Sequence, residues 1–114
     1  MRLIASGKTF VCTANPHPWP FGVMVHINIA AQDKRVGRVH VACIKNQPGF
    51  DALAALSPQE LCDVALTRFA AGELGVNLEK VLQWQEQIRS LGYDYVSPLI
   101  TAFSRHHAEN RNLE

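Results

Sequence analysis

A chain of 114 residues is long enough to bury one hydrophobic core, and a single domain over 1–114 is expected. Apolar residues make up 47% and charged residues 18%, which argues against disorder, and a net charge of +1 lacks the basic excess of a nucleic-acid or membrane-surface protein. No apolar run approaches the roughly 18 residues of a membrane span, no signal-peptide core opens the chain, and three widely spaced cysteines fit reduced thiols in a cytoplasmic protein.

Taken in order, residues 2–14 (RLIASGKTFVCTA) read as strand, bent or turned into a small hairpin at Ser6-Gly7. Residues 15–22 (NPHPWPFG) fit neither regular element, because Pro16, Pro18 and Pro20 fix alternate φ angles; a stiff loop carrying His17, Trp19 and Phe21 is expected. Residues 23–30 and 35–45 alternate strictly and form a hairpin. A three-residue loop at Gln32–Lys34 sets Ile27 against Val39, Val25 against Val41 and Val23 against Cys43, which keeps every apolar side chain on one side. The same register sets His26 across from His40 and Asn28 across from Arg38 on the other side.

After a connector with a short helix over Asp51–Leu56, Ser57, Pro58 and Glu60 carry the start signals of a helix whose apolar face includes Leu61, Ala65 and Phe69. Gly72 and Gly75 end it, Asn77 caps a second helix with Val81, Leu82, Trp84 and Ile88, and Gly92 closes that one. Leu61, Phe69, Val81 and Ile88 are expected to be nearly fully buried. Ser97-Pro98 repeats the helix-start signal, with Leu99, Ile100, Phe103 and His107 as an inward face. The fold class is therefore α+β: a three- or four-stranded antiparallel sheet over about 2–45, packed on one face by two to three α-helices over about 57–109.

Three groups of residues could carry function. Ala71, Gly75, Val76, Val81 and Trp84, within residues 67–86, resemble the helix-turn-helix of bacterial repressors, whose second helix enters the major groove. That resemblance implies DNA contacts from Asn77, Lys80, Gln83 and Arg89. The same stretch carries Leu78, Glu79, Leu82 and Glu86, which meet phosphates and base edges poorly, and a cationic surface would need Lys80, Arg89 and Arg105 to converge. The second group is the face with His26, Asn28, Arg38 and His40. Two facing imidazoles can share a metal or a proton, and Cys12 or His17 could add a third ligand, although no C-x-x-C or H-x-x-x-H spacing is present and an ordinary wet sheet face also accounts for the pair. The third is the proline-rich loop, whose Trp19 and Phe21 suit an interface anchor or, for Trp19, a lid on the core.

No nucleophile elbow, phosphate loop or paired-carboxylate motif occurs, so no catalytic residue and no cofactor is assigned. The sequence thus favours a small non-enzymatic binding protein, regulatory or inhibitory, that meets another protein through Trp19, Phe21, His26, Asn28, Arg38 and His40 and that could pair as a homodimer. A helix-turn-helix DNA-binding regulator is the alternative. A His-dependent metal-binding protein or hydrolase built on His26 and His40 is the second.

Overall fold

Alternating apolar and polar residues over the first 44 positions fold as a four-stranded antiparallel meander. The computed structural model describes residues 1–93, 97–101 and 103. Its strands are β1 (Arg2–Ala5), β2 (Lys8–Pro16), β3 (Gly22–Ala31), β4 (Lys34–Ile44) and β5 (Leu99–Ile100). The helices are α1 (Phe50–Ala54), α2 (Pro58–Ala70) and α3 (Leu78–Ser90). The sheet order is β1-β2-β3-β4-β5, with β5 alone parallel to its neighbour. The α+β class stands, with five strands instead of three or four, in a mixed sheet.

The β1–β2 turn has positive φ at Ser6 (52°) and Gly7 (76°), the backbone of a two-residue primed turn. β2 runs two residues further than the proline pattern predicts, through Asn15 and Pro16. The His17 N–H donates to the Met24 carbonyl at 2.9 Å, so the Pro16/Val25 pair falls at a ladder position that exchanges no hydrogen bonds. The missing proline N–H costs nothing there.

The β3–β4 register is the expected one from Val23↔Cys43 to Ile29↔Gly37, including His26↔His40 and Asn28↔Arg38. Nearer the turn it shifts to Ala30↔Arg35 and Ala31↔Lys34. The expected three-residue loop is instead a two-residue turn, with Gln32 and Asp33 at φ 52° and 64°, and the remaining residue, Val36, is taken up by a β-bulge.

The apolar face buries Cys12, Val25, Ile27, Ile29, Val39, Val41 and Cys43 under Leu61, Ala65, Phe69, Leu74 and Val81. Ile88 is only half-buried, unlike the other three residues expected in the core. At α2, Ser57 and Glu60 exchange side-chain and backbone hydrogen bonds in a complete capping box, with Pro58 in the first turn. Asn77 caps α3, accepting from the Lys80 N–H at 2.9 Å, and Gly92 ends it with φ 94°.

The third helix does not start at Ser97. Leu99 and Ile100 pair in parallel with His40 and Val41, and the Pro98 carbonyl accepts from the His40 N–H at 2.9 Å. The unpaired edge of β4 offers this segment hydrogen bonds that a local Ser-Pro signal cannot match. Phe103 is buried as expected, and its carbonyl accepts from the Arg68 guanidinium. Arg105 and His107 lie outside the described residues. Among the described residues, no helix is long and apolar enough to cross a membrane.

Candidate metal centre

The register defines what stands on the helix-free face. Residues paired across neighbouring strands share a face, so Asn15, His26, His40 and Leu99 form one row. Thr13, Asn28 and Arg38 form the next, and beyond it come Val11, Ala30 and Arg35. His17 follows the end of β2, held by its backbone bond to Met24 and by prolines on both sides.

These placements bring three imidazoles together. The ring centroids are 5.7 Å apart for His17 and His26, 5.3 Å for His17 and His40, and 6.0 Å for His26 and His40. All three pairs are edge-to-face, and one nitrogen from each ring lies within 4.8 Å of those of the other two. In a tetrahedral zinc site the ligand nitrogens stand about 3.4 Å apart, so small side-chain rotations about otherwise fixed backbones close the set.

The surroundings favour coordination. The Nδ1 of His26 is buried with no hydrogen-bond partner among the described residues. The Nδ1 of His40 lies 2.8 Å from the Ser97 hydroxyl, which ties that ring to the residue just before β5. Burial pushes the His26 imidazole below its ordinary pKa, and Arg38, His17 and Arg35 push the same way. His40 is lowered by burial and then by His17, His26 and Arg38. Both shifts favour the neutral form, which has a lone pair for a metal.

The remaining candidates lie elsewhere. Cys12 is fully buried on the core face, one residue out of phase with Thr13, and cannot reach the histidines. Asn28 accepts from the Arg38 Nε at 2.9 Å beside the cluster. Trp19 is half-buried and stacks edge-on against Phe21 at 5.6 Å, over a groove that it shares with Met24, Leu53 and Leu61; Phe21 is 63% exposed. Asn77, Lys80, Gln83 and Arg89 are exposed on or beside α3, interspersed with the equally exposed Glu79 and Glu86, so no cationic stripe forms. Ser97 is the one contributor that sequence reasoning assigned elsewhere, as a helix cap; its approach to His40, 57 residues away in the chain, depends on a long-range strand pairing. No protein-family model, no curated protein and no solved structure matches this chain.

Proposed function

We propose that the protein binds a divalent transition-metal ion of the zinc class through His17, His26 and His40. The observation that carries this reading is the convergence of three ligand nitrogens, from a loop and two strands, within 4.8 Å. Three imidazoles suit zinc and leave one of four tetrahedral positions for water or substrate. Neutral ligands do not offset the charge of the ion, so bound water would ionise near neutral pH. An ion held by His17, His26 and His40 would supply Lewis acidity to a bound water, and metal-assisted hydrolysis is the reaction class that fits.

Incubating the purified protein with Zn²⁺, desalting it and measuring the retained metal tests the reading. The wild type should hold about one ion per chain. His17→Ala, His26→Ala and His40→Ala should each lose it while keeping the wild-type circular dichroism spectrum. Wild-type protein without retained zinc, or three variants that all keep it, would overturn the proposal.

A second reading rests on a different observation. Ile4 is 77% exposed, Val11 43% and Leu99 53%, all on the helix-free face that carries the histidines. Apolar side chains beside a polar centre suit a protein contact. In that reading Phe21, His26, Asn28, Arg38 and His40 meet a partner protein or a second copy of the chain, with Trp19 bracing Phe21. Sedimentation equilibrium tests self-association, and a partner captured equally well by the wild type and by Leu99→Glu would remove this face.

A further inference from the structure

We infer that the open coordination position takes an oxyanion of the phosphoryl class, held between the metal ion and the Arg38 guanidinium. This rests on the metal-binding reading and adds a substrate class to it. Arg38 stands on the same face of β4 as His40, two residues away, and so about 6.6 Å along the strand. Its Nε donates to Asn28 Oδ1 at 2.9 Å, and Asn28 sits directly opposite it on β3. That bond fixes the fork from behind, and among the described residues the two terminal amino groups have no hydrogen-bond partner. Those amino groups are the donors that bind a phosphoryl group in pairs. A tetrahedral oxyanion has oxygens enough to meet a metal ion with one and the guanidinium fork with two others.

The charge pattern of the face points to the same class. Arg35 and Arg38 lie on it, and Arg2 stands in the row of Val11. Its paired strand residues include no Asp or Glu. Among the described residues the carboxylates are Asp33 in the β3–β4 turn, Glu73 between α2 and α3, and Asp51, Glu60, Asp63, Glu79 and Glu86 on the helices. Among the described residues, the strand positions of this face thus carry arginines and no carboxylate, and six of the seven described carboxylates lie on the helices or between them. A dication beside a guanidinium favours the doubly charged phosphoryl group over a monoanionic carboxylate. Thr13 and Asn28, in the row of Arg38, add polar side chains to the floor.

Zinc-loaded, desalted protein titrated with inorganic phosphate, and separately with acetate, by calorimetry tests the inference. The loaded wild type should bind phosphate more tightly than acetate, and zinc-free protein should bind it more weakly. Arg38→Gln should retain zinc as the wild type does and lose phosphate affinity by about tenfold or more, the usual worth of a charged hydrogen bond. Full zinc content with unchanged phosphate affinity in Arg38→Gln would overturn the oxyanion inference and leave the metal reading standing. Tighter binding of acetate would overturn the phosphoryl class. Failure of the wild type to retain zinc would instead remove the metal reading, and this inference with it.

Discussion

At the scale of single residues, burial decides which polar groups can react. Cys12, Cys43 and Cys62 are all buried, and burial pushes the Cys12 thiol up to about 11 and raises that of Cys62 as well. A thiol must ionise and be reached before it reacts. The native protein should therefore leave all three unlabelled by a disulfide reagent at pH 8 and release three equivalents on denaturation; fast labelling of a native thiol would place that cysteine at the surface. Ser97 poses the opposite case, an exposed hydroxyl with a specific partner. Because it engages His40 Nδ1, Nε2 is the nitrogen left to coordinate, and the ring is held in one orientation. Ser97→Ala should lower zinc affinity by about 10- to 100-fold in competition with a chelator, with little change in the stability of the zinc-free protein. Ser97 was illegible as a site residue because Ser-Pro is a sound local signal for a helix start. Only the free edge of β4 reassigns it, and no local pattern encodes that.

At the scale of elements, the helices that form are those whose start and stop signals agree. The Ser57 backbone N–H, then its side chain, holds the Glu60 carboxyl below its ordinary range. A carboxylate with a depressed folded pKa stabilises the fold above its unfolded value, and that contribution is lost as pH falls through the folded pKa. Thermal melts of Glu60→Gln should accordingly vary less with acid than those of the wild type. Ser57→Ala should cost about 1 kcal/mol in urea unfolding at neutral pH. Phe69 is 1% exposed and fills the centre of the layer between α2 and the sheet, so Phe69→Ala should cost about 3–5 kcal/mol. Wild-type stability in that variant would mean that Phe69 is not part of the core. These faces and the hairpin register were legible because a 3.6-residue or two-residue period commits many residues to one side at once. The turn at Gln32-Asp33 was not: a bulge at Val36 absorbs one residue without disturbing the strands beyond it, so two turn lengths satisfy the same pattern.

At the scale of the whole molecule, the sheet carries the helices and the buried cysteines on one side and His26, His40, Arg35 and Arg38 on the other. The His26–His40 pair was readable from the hairpin alone, but the angle at which the proline-rich loop leaves β2 was not, and that angle brings His17 into the cluster. A metal joining His17 to His26 and His40 would pin the loop to two central strands of the sheet, and such a link stabilises the folded chain only if the unfolded chain cannot form it as well. At a free zinc concentration about 100 times its dissociation constant, one site adds about 2.7 kcal/mol to folding. In a domain of this size that raises the melting temperature by about 10 °C. The shift should grow with zinc concentration in the wild type and vanish on adding chelator. It should be absent from His26→Ala at every zinc concentration. Phe21→Ala, in the same loop but outside the cluster, should keep the full shift, because its side chain does not touch the imidazoles. An equal shift in the wild type and His26→Ala would mean that zinc stabilises the fold through other groups, and the loop would then be held by its prolines, by the backbone hydrogen bonds to Met24 and Lys45 and by the packing of Trp19.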